Sequence, residues 1–183
     1  MKKQRVKNTV KKESKKGVVM NNRTYLIVGG TGGIGRAMIQ QLVNGTASDN
    51  DNNNNNNKTD NSGKQDIHVF ATYHRNIPDF EADNLHWVPM NICEEQSIEQ
   101  AAKVIQQNTP HIDWIINCVG LLHTATQQPE KALRQVDTEF FLQNMQVNAL
   151  ASLLIAKHFR PLLAKSACSN DKPAVFATIS ARV

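Results

Sequence analysis

A run of glycines near the start of the chain has the residue types and the spacing that bind a phosphate group. The segment 28–35, VGGTGGIG, follows a short apolar run over 24–28 and precedes a stretch with helical spacing. Glycines permit a tight turn and let the backbone approach a pyrophosphate, and the free N–H groups at a helix N-terminus favour an anion. This strand–turn–helix context predicts a dinucleotide-binding loop rather than a plain glycine-rich turn.

Spacing alone leaves the register of this loop open. Gly30, Gly32 and Gly35 fit the pattern G-x-G-x-x-G, whereas Gly29, Gly33 and Gly35 fit G-x-x-x-G-x-G. The loop residues that we expect to bind the cofactor are Gly29, Thr31, Gly32, Gly33, Ile34 and Gly35.

Alternating strands and helices must position the loop. Apolar runs predict strands at 24–28, 67–73, 86–90, 114–119 and 174–180. Helical spacing predicts helices over 34–43, 94–106 and about 136–158, with Pro161 ending or kinking the last one. The alternation indicates an α/β fold, a Rossmann-type doubly wound parallel sheet of about five strands.

Two segments fall outside the alternating pattern. Residues 1–23 hold nine basic side chains and one acid without apolar periodicity, which predicts a disordered basic tail. Residues 44–65 include six consecutive asparagines and predict a low-complexity insertion in a loop of the single domain over 24–183. Met20 stands just before the first strand and is a possible true start of translation.

Composition excludes several classes of protein. The net charge of +5 comes from the tail, since the chain from Thr24 onward has a net charge of −3, so nucleic-acid binding is not expected. No apolar run approaches the length of a membrane helix. Three cysteines without a C-x-x-C pair suit a reducing compartment, and we expect a cytoplasmic protein. The six histidines are not clustered, so no metal site is predicted.

The motifs together resemble the short-chain dehydrogenase/reductase family, whose glycine loop reads T-G-x-x-x-G-x-G. Val28 replaces the usual Thr, and the glycine positions are taken by Gly29, Gly33 and Gly35. The segment 117–120, NCVG, stands where the family has Asn-Asn-Ala-Gly.

The resemblance extends along residues 24–183, interrupted by the asparagine-rich insertion. Asn148 matches the Asn of the family's long interface helix, and Pro161 falls where that helix usually meets a Pro. The segments 73–76 and 179–183 look most like the sniffer and C-factor carbonyl-reductase branch.

The end of the second strand bears on the choice of cofactor. An acid there would bind the ribose hydroxyls of NAD, but residues 71–78 contain none and do contain Arg75, with Arg36 just past the glycine loop. Because a guanidinium pairs well with a phosphate, the sequence favours NADP over NAD. The alternative is that both arginines are merely solvated.

The resemblance implies further contacts along the dinucleotide. Asn91 would accept a hydrogen bond from the adenine amino group, and the alternative is that it caps the following helix. Cys118 replaces the family's second Asn and is interpreted as a small buried apolar residue. The residues expected along the cofactor are Asn91, Ile92, Asn117, Val119 and Gly120.

The family's general acid is absent from the sequence. Its Tyr has a pKa lowered by a Lys four residues later, and that Tyr protonates the carbonyl oxygen. Here Tyr25 is followed four residues later by Gly29, and Tyr73 by Ile77.

Two other residues match the family's catalytic positions in part. Asn148 is a candidate for the proton relay, or a structural amide. Ser180 is a candidate catalytic contact, although Ala181 stands where the hydroxyl normally lies, and a later Ser is the alternative. We therefore expect the N-terminal, cofactor-binding part of an NADP-dependent reductase of carbonyl or alcohol substrates, truncated, inactive alone and homo-oligomeric when complete. The alternative is a non-catalytic nucleotide-binding or interaction fragment.

Overall fold

The computed structural model of the protein describes residues 23–44, 66–169 and 173–180. The predicted basic tail (1–23) and asparagine-rich insertion (44–65) lie outside these residues except at their boundaries, where two corrections arise. Arg23 belongs to the first strand, because its N–H donates to the carbonyl of Asp66 at 2.9 Å and extends the pairing with the second strand. Asn44 is the last residue of the first helix.

The five strands of the described residues form one parallel sheet in the order β3-β2-β1-β4-β5. They are β1 (Arg23–Val28), β2 (Ile67–Tyr73), β3 (Leu85–Pro89), β4 (Trp114–Asn117) and β5 (Val175–Thr178). The winding therefore reverses between β1 and β4, whose carboxyl ends lie side by side. This confirms the predicted doubly wound α/β sheet, and a crevice at such a reversal is where ligands bind in this architecture.

Helical segments cover both faces of the sheet. They are α1 (Gly33–Asn44), α2 (Glu95–Asn108), a short 3₁₀ turn (Leu133–Gln135), α3 (Thr138–Met145), a π-helical segment (Gln146–Leu150) and α4 (Ala151–Ser169). The start of α3 is capped by Asp137, whose carboxylate accepts the N–H of Phe140 at 2.8 Å. None of the helices in the described part of the chain is long and apolar enough to cross a membrane.

The long helical region continues past Pro161. The expectation that this proline ends the helix is wrong, because α4 extends to Ser169 with Pro161 inside it. Leu162, directly after the proline, is 2% exposed, and its carbonyl accepts the N–H of Ile112 at 3.3 Å. These contacts offset the backbone hydrogen bond that a proline removes from a helix.

The core divides into two layers by the two-residue period of the strands. Leu26 and Val28 of β1 face α2 and α4, where Ile98, Ile155 and Phe159 are fully buried. Ile27 of β1 faces the other side, with Ile39 of α1 and Val69 of β2. Both faces of the sheet are therefore covered, as parallel sheets require.

Candidate functional site

The glycine-rich loop turns sharply at the end of β1. Gly29 has a φ of +80°, a left-handed conformation that glycine adopts without strain. Its N–H donates to the Thr72 hydroxyl at 3.0 Å, and a β-carbon on it would lie 2.5 Å from Cγ2 of Val119. Gly29 therefore brings together the ends of β1, β2 and the segment after β4.

The first turn of α1 packs against this turn. A β-carbon on Gly35 would overlap the carbonyl oxygen of Gly29, whereas one on Gly33 would meet nothing within 4 Å. Gly33 and Ile34 are exposed at the start of α1, and Gly35 is buried. Because the sharp turn lies at Gly29, the geometry favours the register with Gly33 and Gly35 over the one that starts at Gly30.

A cleft of about 460 Å³ lies at the carboxyl ends of β1 to β4. Thr72, Tyr73 and Gln143 line it without having been predicted. The sequence feature that could have indicated Thr72 is a hydroxyl side chain next to the end of an apolar strand. The predicted cofactor-binding residues that line the cleft are Gly29, Thr31, Gly32, Arg75, Asn91, Ile92, Val119 and Gly120.

Asn117 lies beneath the cleft and does not line it. It is 1% exposed, and its amide donates to the hydroxyls of Ser152 at 3.1 Å and Thr178 at 3.2 Å. Its side-chain carbonyl accepts the N–H of Val119 at 3.1 Å. Asn117 thus joins β4 to β5 and α4, and shapes the backbone that forms the wall of the cleft.

Asn91 organises the turn between β3 and α2. Its side-chain carbonyl accepts the N–H of Cys93 at 3.1 Å, and its amide donates to Glu94 at 2.8 Å. The residue at the cap position of α2 is Glu94, so the alternative that Asn91 caps this helix is wrong. Asn91 remains on the wall of the cleft.

Asn148 lies in the middle of the π-helical segment, outside the cleft lining. Its side-chain carbonyl accepts the N–H of Leu121 at 2.7 Å, and its amide donates to the carbonyl of Leu121 at 2.7 Å. Asn148 thereby holds the segment that follows β4. Ser180 is exposed two residues after β5, and it does not line the cleft.

The two arginines lie in different places. Arg75 lines the main cleft. Arg36 lines a smaller side cavity of about 240 Å³ and makes an exposed ion pair with Asp79 at 3.4 Å. The sequence reading did not single out Asp79, which comes six residues after the end of β2.

The tyrosines also differ in placement. Tyr25 stacks on Trp114 within the sheet, with ring centroids 6.4 Å apart, whereas Tyr73 lines the cleft at the end of β2. The residue four positions after Tyr73 is the exposed Ile77.

Cys93 and Cys118 are free thiols on the cleft wall. Burial raises the pKa of the Cys118 thiol, so this thiol stays protonated at neutral pH. Its sulfur lies 3.8 Å from that of Met38, among the apolar residues under α1. Cys118 also lines the cleft, so it is half-buried rather than buried as predicted. Within residues 23–44, 66–169 and 173–180, no group of three or more His, Cys, Asp or Glu could hold a metal ion.

Comparison with known proteins identifies the family of this fold. A family model described as short chain dehydrogenase matches residues 23–170. The chain belongs to the short-chain dehydrogenase family. The predicted resemblance is thereby confirmed at the level of the family.

A curated member of the short-chain dehydrogenase family is similar to most of this chain. The short chain dehydrogenase pigC of Monascus ruber is 25% identical over 147 residues, which are 80% of this chain and 45% of that protein. The chain therefore spans about half the length of the curated relative that it matches.

Solved structures share the short-chain dehydrogenase fold at lower identity. NADPH-bound carbonyl reductase from chicken fatty liver is 21% identical with a TM-score of 0.62, over 82% of this chain and 52% of that one. An NADH-dependent reductase responsible for alginate metabolism is 19% identical with a TM-score of 0.65, over 88% and 59%. The putative carbonyl reductase Sniffer of Caenorhabditis elegans is 18% identical with a TM-score of 0.63, over 86% and 63%. At these identities the likeness concerns the fold alone.

Proposed function

We propose that this chain is the cofactor-binding part of an oxidoreductase that transfers a hydride between NADPH and a carbonyl or alcohol substrate. The observation that carries the proposal is the junction of Gly29, Thr72 and Val119, which sets the glycine turn at the edge of a cleft. Doubly wound sheets bind their ligands at such a point. The nicotinamide supplies the hydride when bound, and the residues of this chain bind and orient the cofactor.

The residues of the cleft fit a dinucleotide. Next to the cleft lining residues Thr31 and Gly32, Gly33 has open space at the N-terminus of α1, where a pyrophosphate would find unpaired N–H groups. Ile92 and Val119 offer apolar surface to flat rings, and Asn91 offers a polar group. The cleft therefore provides both of the contact types that a dinucleotide needs.

The charge of the cleft supports NADP rather than NAD. Arg75 is among its lining residues, and of the residues that the structure describes no Asp or Glu lines it. A guanidinium favours the 2′-phosphate of NADP, and an acid that would prefer the 2′-hydroxyl of NAD is missing from this wall. Proteins with this fold include both NADPH-bound and NADH-dependent reductases, so the preference depends on these side chains.

We further propose that these 183 residues bind the cofactor without turning over a substrate. Neither Tyr25 nor Tyr73 is followed by a Lys four residues later, so the sequence holds no Tyr–Lys pair to protonate the carbonyl oxygen. We propose Ser180 as a contact of the reaction site and Asn148 as a positioning residue that holds Leu121 in place. The alternative is a non-catalytic nucleotide-binding or interaction fragment.

Self-association and a cytoplasmic location belong to the same proposal. The region from α3 to α4 exposes large apolar side chains, which favour a homo-oligomer: Phe141, Leu142, Met145, Leu150 and Leu153. Free Cys93 and Cys118 suit a reducing compartment.

Binding of NADPH and NADH to the purified chain, followed by nicotinamide fluorescence and calorimetry, tests the proposal. We expect NADPH to bind more tightly than NADH, with no oxidation of NADPH in the presence of aldehydes or ketones. Gly33→Ala should keep the Tm of the parent, because a β-carbon there meets nothing within 4 Å, and should weaken NADPH binding by about tenfold or more.

Leu133→Ala is the matched surface control, since Leu133 is 93% exposed and lies outside the cleft. This variant should bind NADPH as the parent does. Failure of both dinucleotides to bind, or equal effects of the two variants on binding, would overturn the proposal.

A further inference from the structure

The cleft has two walls that follow different strands. The β3 wall consists of residues 91–93 after β3, and the β4 wall consists of residues 118–121 after β4. The sheet order β3-β2-β1-β4 places these walls on opposite sides of the glycine turn at the end of β1. A dinucleotide whose pyrophosphate lies at that turn therefore places one half against each wall.

The charge of the cleft indicates which half meets which wall. Arg75 lines the cleft just after β2, and β2 lies between β1 and β3, so Arg75 is on the side of the β3 wall. A guanidinium pairs well with a phosphate, and the 2′-phosphate belongs to the adenosine half of NADP. The proposed cofactor therefore places its adenosine half at the β3 wall.

Gln146 joins the β3 wall to the long helical region. Its side-chain amide donates to the carbonyl of Cys93 at 2.9 Å, across 53 positions of the chain. Within the wall, the N–H of Cys93 donates to the side chain of Asn91 at 3.1 Å, and the N–H of Asn91 donates to the Ser97 hydroxyl at 2.8 Å. The turn after β3 is thus held internally by Asn91 and Ser97, and Gln146 fixes it against the π-helical segment.

The next two residues of the π-helical segment complete a connection across the cleft. Val147 is 8% exposed and lines the cleft. Asn148 holds Leu121 of the β4 wall through two hydrogen bonds. Because two side chains on one short segment hold the two walls, that segment fixes the walls relative to each other.

We propose that Gln146 is a positioning residue for the cofactor, holding the β3 wall in the place that receives the adenosine half. A wall that is already fixed loses less conformational entropy when a ligand binds. Without the amide, the Cys93 carbonyl lacks this partner, and the wall is free to shift away from the adenine ring. Gln146 acts through the backbone of Cys93 and not through a contact with the ligand. This inference rests on the proposed cofactor-binding function.

The experiment measures, by calorimetry, the affinity of the full chain for NADP⁺ and for adenosine 2′,5′-bisphosphate, which has only the adenosine half. Gln146→Met keeps the length of the side chain and a high helix propensity but removes the donor. It should weaken the binding of both ligands by about 3- to 10-fold, the usual effect of one lost hydrogen bond. Gln106→Met makes the same change at an exposed position of α2 outside the cleft lining, and it should change neither affinity by more than about 2-fold.

Asn148→Ala distinguishes the two walls. Because Asn148 holds the β4 wall, this variant should weaken NADP⁺ by about 3- to 10-fold and leave the affinity for the bisphosphate within about 2-fold of the parent. An equal loss of both ligands in Asn148→Ala would mean that such variants loosen the cleft as a whole, and it would overturn the inference.

Gln146→Glu tests the hydrogen bond within one folded protein. An ionised carboxylate has no proton to donate and repels the Cys93 carbonyl, whereas a protonated carboxyl donates to that carbonyl as the amide does. The loss of NADP⁺ affinity relative to the parent should therefore be larger at about pH 8 than at about pH 5, and Gln146→Met should show the same loss at both. The charged groups of the turn, of α2 and of α4 are common to variant and parent, so each comparison is made at equal pH: Glu94, Glu95, Lys157 and His158.

The outcomes separate this inference from the function on which it rests. Equal affinities for Gln146→Met and Gln106→Met, or a loss in Gln146→Glu that does not depend on pH, would overturn the role of Gln146 while leaving the cofactor site in place. Failure of the parent chain to bind NADP⁺ would overturn both. Unchanged Tm values for the variants are the check on folding.

Discussion

The side chain of Asn148 holds the backbone of Leu121 by two hydrogen bonds, accepting its N–H and donating to its carbonyl, each at 2.7 Å. Asn148 lies in the π-helical segment, and Leu121 ends the wall of the cleft that begins at Cys118. A π-helical insertion between two α-helices often marks a functional position. Here the side-chain amide of Asn148 connects the long helical region to the wall of the cleft.

We expect Asn148→Ala to loosen the wall of the cleft without unfolding the domain. Asn148 is exposed, so the loss should be about 1 kcal/mol in the free energy of unfolding and about 3- to 10-fold in NADPH affinity. Hydrogen exchange should speed up at the Leu121 amide. Gln143→Ala, a variant on the same helical region, should leave the exchange rate of the Leu121 amide unchanged. An unchanged exchange rate in Asn148→Ala would contradict the role of its two hydrogen bonds to Leu121.

Gly35→Ala should be strongly destabilising. A β-carbon there would overlap the Gly29 carbonyl oxygen, which belongs to the backbone and has little room to move. The expected loss is about 2–4 kcal/mol in the free energy of unfolding, measured by urea denaturation. Gly33→Ala in the same loop is the matched comparison, and similar losses for the two would show that the loop packs differently.

Asp113 should be the most sensitive polar residue outside the cleft. It is 7% exposed, accepts the Thr24 N–H at 2.7 Å and the Ser166 hydroxyl, and so ties the start of β1 to α4. Asp113→Ala should lower the free energy of unfolding by about 3 kcal/mol or more, because it leaves buried donors without a partner.

Ser166→Ala removes only one of these hydrogen bonds. It should lower the free energy of unfolding by about 1 kcal/mol. If both variants lost the same amount, the buried carboxylate would not be the centre of this contact.

Glu95 should contribute to the acid sensitivity of the fold. Hydrogen bonds from Lys157 at 2.6 Å and His158 at 2.9 Å hold its pKa below the usual value of 4.5. Since the folded pKa is the lower one, the stabilisation is complete above the unfolded pKa and is lost as the pH falls through the folded value.

The Glu95→Gln variant tests this sign. Its urea midpoint should fall only slightly at pH 7, because the pair is exposed and weak. The midpoint should approach that of the parent as the pH falls below the folded pKa of Glu95, because the carboxylate is then protonated in the parent as well. Glu130→Gln is the control for the charge change. A deficit in Glu95→Gln that grew as the pH fell would contradict this interpretation.

The strands and helices were predictable because burial follows local periodicity. The residues Ile98, Ala101, Ala102 and Ile105 of α2 are all buried, as their spacing predicted, and β2 has the predicted bounds. What the sequence did not show depends on contacts between distant segments. The helix continues through Pro161 because Leu162 meets Ile112, 50 positions earlier in the chain.

The candidate site divides in the same way. The glycine turn was predictable because its backbone requirement is local to Gly29 and Gly35. The buried position of Asn117 was not, because it depends on Ser152 and Thr178 from other elements. The ion pair of Asp79 was likewise not predictable, because it depends on α1 placing Arg36 beside it.

The cleft exists only in the folded chain, because Gly29, Thr72 and Val119 meet at its edge. Three segments far apart in the sequence must all be docked before it exists, so the unfolded chain offers no comparable surface. Any molecule that binds there therefore stabilises the folded state. At a concentration of 100 times its Kd it adds about 2.7 kcal/mol to the free energy of unfolding. Ligand supply would then control how much of this protein survives proteolysis.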